Sequence, residues 1–237
     1  MSHLMKYNGI SSANYGLHLS GEDTWRSAAP DLERTSIPGR SGDLVSFNKR
    51  YKNVEINYHM GIIRDFDQNY SGFVNFILSN PGYHRLEDSY HPEVYRLAVM
   101  ESDFDPEMSV LNRQGQFDVK FSCKPQTYLK SGEKPKEFTA SGSIYNPTMF
   151  DALPLMRIYG EGELEIGLET IRVKRVDNYI DIDCELEDAY KEFAGNNRNK
   201  FIELSGDSFP SLPPGETRIT LGSGITKVII TPRWWQL

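Results

Sequence analysis

The feature that most constrains the fold is a succession of short strand-like segments in the second half of the chain. Each is rich in alternating apolar or β-branched residues and is bounded by turns of Gly, Asn and Pro. These segments are 154–160, 163–168, 171–176, 179–184, 200–204, 217–221 and 226–231. Short strands at this spacing are typical of an antiparallel sandwich. We therefore predict a β-sandwich in this half.

The first half is predicted to be mostly β, a sandwich-like or barrel-like domain with one helix. Apolar residues alternate with polar ones over 54–62, the period of a strand with one wet face. Helical spacing of apolar residues follows over 66–78 and ends at the stop signal Asn80-Pro-Gly82. Segments 6–19, 83–86, 95–102 and 116–123 indicate further strands. The loop-rich stretch after residue 19 contains a sharp turn at 37–44, where Gly39 and Gly42 supply positive φ angles.

A polar segment divides the two halves. Residues 130–136 (KSGEKPK) contain Gly and Pro and no apolar side chain, which favours a linker. We predict an N-terminal β domain over 1–129, a linker over 130–136 and a C-terminal sandwich over 137–237. Residues 1–5 resemble a vector remnant ahead of a natural start at Met5.

Composition limits the possible partners and compartments. The formal net charge is −7, with −3 on residues 1–129 and −4 on 130–237, so a phosphate-gripping basic face and sequence-specific nucleic-acid binding are disfavoured. Cys123 and Cys184 lie far apart without metal-ligand spacing and are predicted to be reduced, buried thiols. No apolar run is long enough for a membrane helix and no secretory leader is visible, which predicts synthesis in a cytoplasm.

An acidic cluster is the feature most easily mistaken for a metal site. It comprises Asp181, Asp183, Glu185, Glu187, Asp188 and Glu192. Clustered carboxylates do bind calcium, but the cluster lacks the glycine at which an EF-hand loop bends. Because apolar residues alternate with the first two aspartates, we interpret the cluster as the solvated face of a strand.

Other catalytic patterns are weak. Asp103 and Asp105 can in principle pair as acid and base in glycoside hydrolysis, although an aspartate-rich turn explains them more simply. The histidines, His18, His59, His84 and His91, match no metal or nucleophile signature. The Gly-x-Gly segments 160–162 and 222–224 are predicted to be hairpin turns, because no helix follows them to form a phosphate loop. We predict no catalytic residue, no metal site and no cofactor.

Aromatic residues in the second half offer a binding alternative. Tyrosines and tryptophans on a sandwich can stack on sugar rings, and the candidates are Tyr145, Tyr159, Tyr179, Tyr190, Trp234 and Trp235. Core packing is the simpler explanation. Trp234 and Trp235 also lie at the end of the sequence, where a free terminus frays, so we expect this end to close a sheet or dock on a partner. This expectation favours an assembling protein over an enzyme.

Several segments taken together resemble the distal tail protein (Dit) family of long-tailed bacteriophages and prophages of Gram-positive bacteria. They are 37–43 (IPGRSGD), 51–56 (YKNVEI), 146–155 (NPTMFDALPL), 158–160 (IYG), 180–190 (IDIDCELEDAY), 209–215 (FPSLPPG) and 232–237 (PRWWQL). Their order and spacing carry the resemblance.

The resemblance implies an N-terminal domain that forms a homo-hexameric ring, single or stacked on a second ring, and an outer galectin-like sandwich. The implied partners are the major tail tube protein, the tape-measure protein and the tail-associated fibre or lysin protein, with the assembled protein at the virion tail tip and no membrane partner. The resemblance does not assign the interface residues. Two alternatives stay open: a carbohydrate-binding module for cell-wall glycans, and a glycosidase using Asp103, Asp105 or the acidic cluster.

Overall fold

A computed structural model describes residues 3–20, 26–101, 103–109 and 113–237. These residues fall into two compact units, the first extending to Thr127 and including Leu237, the second comprising Tyr128–Gln236. Residues 130–136, for which we predicted a linker, belong to the second unit and include a 3-10 helix, Lys130–Glu133. No helix in these described ranges is both long and apolar enough to cross a membrane.

The first unit is one large antiparallel sheet with a helix and a separate hairpin. Its elements are β1 (Met5–Tyr7), β2 (Ile10–Ser11), a 3-10 helix (Ser12–Tyr15), β3 (Leu17–Ser20), β4 (Pro30–Thr35), β5 (Leu44–Tyr51), β6 (Val54–Ile62), α1 (Phe66–Leu78), β7 (His84–Asp88), β8 (Val94–Met100), β9 (Glu107–Ser109) and β10 (Gln114–Leu129). The sheet order is β2-β1-β7-β8-β10-β6-β3, and β9 pairs with β10.

The sheet curls so that its two ends approach each other. Just before β1, His3 bridges Leu19 of β3, and the Leu19 N–H donates to the His3 carbonyl at 2.9 Å. Met5, the first residue of β1, is buried in the core. His3 and Met5 of the segment that we predicted to be a vector remnant therefore take part in the fold, while residues 1 and 2 lie outside the described residues.

The predicted helix and its stop signal are confirmed. Apolar residues at helical spacing bury one face of α1 through Phe66, Phe73 and Ile77. At its end the Ser79 hydroxyl and the Asn80 side-chain amide both donate to the carbonyl of Phe76, at 2.9 and 2.6 Å. These bonds satisfy a carbonyl that the helix leaves without a partner at its C-terminus.

The second unit is a sandwich of two antiparallel sheets around one core. Its elements are β11 (Lys136–Phe138), β12 (Gly142–Asn146), β13 (Leu155–Gly160), β14 (Gly162–Ile166), β15 (Glu169–Val173), β16 (Tyr179–Asp183), β17 (Asp188–Lys191), β18 (Phe193–Asn197), a 3-10 helix (Asn199–Phe201), β19 (Ile202–Leu204), β20 (Gly215–Leu221), β21 (Ile225–Thr231) and β22 (Trp235–Gln236). The sheets have the orders β11-β21-β13-β16-β17-β18 and β12-β20-β14-β15-β19. The predicted mostly β architecture with a sandwich is confirmed.

The two Gly-x-Gly segments are not hairpin turns, and that prediction was wrong. Segment 160–162 joins β13 to β14 and segment 222–224 joins β20 to β21, and each pair of strands lies in different sheets. The two corners cross in direct contact, since a Cβ on Gly160 would overlap the carbonyl oxygen of Gly224 and one on Gly162 that of Ser223. The Gly222 N–H donates to the Glu163 carbonyl at 2.8 Å. Glycine is required here by main-chain packing, not by a turn between paired strands.

The tryptophan-rich end is tied down as expected. Trp234 is buried in the sandwich core, and its carbonyl accepts a hydrogen bond from the Leu129 N–H at 2.9 Å. Trp235 stacks on Phe150, and its indole N–H donates to the Asp151 carbonyl at 2.9 Å. Both rings are therefore held by contacts within the second unit.

Candidate assembly surface

In the described part of the first unit, the hairpin β4–β5 is separate from the large sheet. Its strands pair only with each other, and Gly39 and Gly42 in the connecting turn have φ angles of 79° and 86°, as predicted. The sequence prediction missed both strands and assigned loop. At about 3.3 Å per residue, β5 is roughly 26 Å long.

One face of the hairpin is apolar and uncovered. Leu32 lies opposite Phe47 and Arg34 opposite Val45, so these four side chains share one face. Leu32, Val45 and Phe47 are 37%, 53% and 44% exposed. Phe47 also packs edge-on against Tyr51, with ring centroids 5.7 Å apart. The result is a contiguous apolar stripe in solvent.

The opposite face carries internally paired polar side chains, although the exposed Leu44 also lies on it. The Asp31 carboxylate accepts hydrogen bonds from Arg50 Nε at 2.6 Å and from the Asn48 amide at 3.4 Å, with Lys52 Nζ at 3.7 Å. The hydrogen bond from Arg50, helped by the other two partners, lowers the pKa of Asp31. This face therefore suits water, while the apolar face does not.

A hairpin of this kind is only marginally stable by itself. An isolated two-stranded hairpin has little stability in water, and its two outer edges present unpaired backbone groups. Contiguous apolar surface in solvent marks a contact with another molecule. The hairpin with its apolar face is therefore our candidate assembly surface.

Charge separates the hairpin from the remainder of its domain. Residues 30–52 carry five Lys or Arg against three Asp or Glu, a net charge of +2. The remainder of residues 1–129 has eight basic and thirteen acidic side chains, a net charge of −5. The hairpin and the remainder of the domain therefore carry charges of opposite sign.

The glycosidase candidates do come together, but in an open setting. Asp103, Asp105 and Glu107 line a cavity of about 600 Å³ with His59 and Asp118. All three carboxylates of this loop are exposed. Glycoside hydrolysis places its two carboxylates in different environments, whereas these three share one exposed setting. Asp118 contacts the His59 ring and the Asn57 amide.

Of the other predicted histidines, His84 and His91 have local partners. His84 Nε2 lies 3.2 Å from the Pro81 carbonyl, and His91 Nδ1 lies 3.1 Å from Asp88 Oδ1. The Nδ1 atom of His18 is buried with no partner in the described residues. Within the same described ranges no three His, Cys, Asp or Glu side chains are grouped as metal ligands would be.

The solvated-face interpretation of the acidic cluster was wrong for its first two members. Asp181 and Asp183 are 4% and 3% exposed. Arg157, directly opposite Asp181 on β13, donates to it from Nε and Nη2 at 2.7 and 2.9 Å. Arg233 covers Asp183 in the same way. The strand alternation was right, but arginines distant in sequence cover the outer face. Glu185, Glu187 and Glu192 are exposed, and Asp188 is half-buried.

The sugar-binding candidates are dispersed or already occupied. Trp234 is in the core, and Tyr145 lies on the other sheet from Tyr159 and Tyr179. The Arg157 guanidinium lies 4.3 Å from the Tyr179 ring centroid, and Lys227 Nζ lies 4.5 Å from that of Tyr159. These cations cover ring faces on which a sugar would have to stack. Tyr190 is half-buried on β17.

The cysteines are as predicted. Cys123 and Cys184 are free and buried, one in each unit. Burial raises the pKa of each thiol to about 12. Neither can act as a nucleophile in this state, because the reactive form is the thiolate.

The arrangement of helix-bearing sheet, hairpin and sandwich is a Dit-like fold. The whole chain is similar to the Dit protein of phage SPP1, described as a paradigm of the hub adsorption apparatus in phages that infect Gram-positive bacteria. That structure matches with a TM-score of 0.76 and 15% identity over 100% of both chains. No protein-family model and no curated protein matches the chain by sequence.

Two further structures show the same likeness more distantly. A chain of the phage P2 baseplate in its activated conformation with Ca has a TM-score of 0.52 and 12% identity, over 97% of this chain and 98% of that one. The same baseplate with Sr gives a TM-score of 0.51 and 12% identity, over 97% of each chain. At such low identity the likeness establishes the fold.

Proposed function

We propose that this protein is a structural hub of a phage or prophage tail tip, without catalytic activity. In this proposal six copies form a ring between the tail tube and the host-adsorption apparatus. The tube protein, the tape-measure protein and a fibre or lysin protein are its further partners, and it is made in the host cytoplasm. The Dit-like fold supports the hub role, since the matched SPP1 protein is described as part of a hub apparatus.

One observation carries the assembly part of the proposal: the uncovered apolar face of the hairpin β4–β5. A closed ring needs two different complementary patches on each copy. The hairpin supplies an apolar and positively charged patch, and the acidic remainder of the first domain in the next copy supplies the complement. The occupant of the hairpin face is therefore a second copy of this chain.

The test compares oligomeric states. Wild-type protein should form rings, seen by light scattering and negative-stain imaging, and Val45→Ser with Phe47→Ser should reduce them to smaller species. Leu168→Ser is the matched control, because Leu168 is fully exposed in the turn between β14 and β15 and lies far along the sequence from the hairpin. Rings that survive the hairpin double variant, or a wild-type protein that stays monomeric at the highest soluble concentration, would contradict the proposal.

A further inference from the structure

A small cationic cavity lies at one end of the six-stranded sheet in the second unit. Its volume is about 80 Å³, and its lining includes Arg175, Lys191 and Arg198, with the rings of Tyr179 and Phe201. Water occupies about 30 Å³ per molecule, so the cavity has room for a group a few heavy atoms in size. We call it the cationic pocket.

The three cations come from three separate segments whose backbones are fixed. Arg175 lies between β15 and β16 in a left-handed conformation with φ 54°, which is uncommon for a residue with a side chain. Next to it, the Lys174 N–H donates to the Phe201 carbonyl at 2.8 Å. The Arg198 N–H donates to the Ala189 carbonyl at 2.6 Å. The pocket is therefore built on anchored main chain.

Lys191 is the inner cation of the pocket. Its side chain is only 16% exposed, and Nζ donates to the Asp177 carbonyl at 2.7 Å and to Asp177 Oδ2 at 2.9 Å. The hydrogen bond from Lys191 lowers the pKa of Asp177. These two bonds leave one of the three ammonium donors for a ligand.

Arg175 and Arg198 are the less engaged cations of the pocket, although the charge of Arg198 contributes to the lowered pKa of Asp177. Across the described ranges, neither guanidinium forms an ion pair or a hydrogen bond, although Arg198 lies 5.7 Å from the Phe201 ring. By contrast, Arg157, Arg172 and Arg233 of the same unit each bind a carboxylate. The nearby carboxylate of Glu161 accepts from the Val176 N–H at 3.0 Å.

We propose that the cationic pocket binds a phosphate group. Three cations and one carboxylate line it, so its local charge is positive in a chain of net charge −7. The four oxygens of a tetrahedral phosphate do not share one plane, which matches donors arriving from three segments, whereas the two oxygens of a carboxylate lie in one plane. The phosphate can be free or part of a phosphodiester polymer. The site lies within one unit and does not depend on ring formation.

The test is phosphorus NMR of the full chain at constant ionic strength, which works whatever the size of the oligomer. Inorganic phosphate should show saturable line broadening, and acetate should compete poorly. Arg175→Gln and Arg198→Gln should each weaken binding about tenfold, the loss of roughly 1.4 kcal/mol of a charge-assisted bond. Arg218→Gln is the matched control, an arginine of the other sheet.

Two binding measurements distinguish the possible sources of the phosphate. Dimethyl phosphate binding as tightly as inorganic phosphate identifies a phosphodiester, and binding of inorganic phosphate alone identifies a free phosphate or a monoester. Broadening that does not saturate, or an equal loss in Arg218→Gln, would mean that the protein only screens charge and would overturn the proposal. Acetate that competes as well as phosphate would reassign the pocket to carboxylates.

Discussion

Arg233 holds Asp183 through two parallel hydrogen bonds, from Nη1 to Oδ1 at 2.6 Å and from Nη2 to Oδ2 at 2.9 Å. Arg233 directly precedes Trp234, and its own N–H donates to the Gly132 carbonyl at 2.8 Å. The pair therefore fastens the last segment of the second unit to the end of β16.

Removing the buried carboxylate should destabilise the second unit. We expect Asp183→Asn to lower its free energy of unfolding by about 3 kcal/mol, because the Arg233 charge loses its buried, doubly hydrogen-bonded partner. Glu185→Gln is the control, since Glu185 is half exposed and only 3.3 Å from the same Nη1. It should cost less than about 1 kcal/mol. Urea unfolding followed by fluorescence in a Trp25→Phe background measures both, and equal losses would contradict the assignment.

The same pair predicts a pH dependence. Burial alone would raise the pKa of Asp183. Arg233 opposes this effect through its hydrogen bonds and its charge, and the backbone N–H groups of Leu186 and Glu185 also donate to the carboxylate. Together they lower the pKa of Asp183. A carboxyl with a lowered folded pKa stabilises the fold above its unfolded pKa, about 3.9, and loses this contribution as the pH falls through the folded value. The stability difference between wild type and Asp183→Asn should therefore shrink below about pH 4. A difference independent of pH would contradict this prediction.

Gly132 should not tolerate a side chain. A Cβ there would overlap the backbone nitrogen of Trp234, so the main chain has to move. We expect Gly132→Ala to cost about 1–3 kcal/mol in the second unit, as overpacking does. Gly206→Ala is the matched control, because a Cβ added at Gly206 would have no described atom outside its chain neighbours within 4 Å. Differential scanning calorimetry should show a lower melting temperature for the first variant alone.

The two buried thiols should report on the units separately. Because burial raises the pKa of Cys123 and Cys184 to about 12, iodoacetamide should modify neither in the folded protein at neutral pH. In Gly132→Ala, rising urea should expose Cys184 before Cys123, since only the second unit is weakened. Mass spectrometry of labelled peptides locates the modification. Simultaneous labelling of both thiols in every variant would show that the two units unfold together.

The periodicity of apolar and polar residues correctly predicted those helices and strands that have one buried and one exposed face. In β6, Val54, Ile56 and Tyr58 are buried while Glu55 is exposed. The alternation of apolar and polar residues in the sequence predicts this contrast. The hairpin lacks such a contrast, because nearly all of its residues are exposed in the single chain. The signal that can reveal it is the turn itself: Gly39 and Gly42 lie between two extended runs.

Alternation gives the face of a residue but not what lies over that face. Asp181 was correctly placed on the outer side of β16, yet Arg157 on the neighbouring strand buries it. The pairing of β13 with β16 brings Arg157 next to Asp181, although the two are 24 positions apart in the sequence. No local sequence pattern encodes this pairing. The cationic pocket was missed for the same reason, since its three cations come from separate segments.

The crossing of the two sheet-to-sheet corners has a consequence for how such a chain can diverge. Where main chain lies on main chain at Gly160, Gly162 and Gly224, any added side chain forces the two sheets apart. The side chain of Leu168 bears no such restriction, because it lies wholly in solvent. A related sequence can therefore change its exposed turns more readily than these corners, where only a hydrogen atom fits as the side chain.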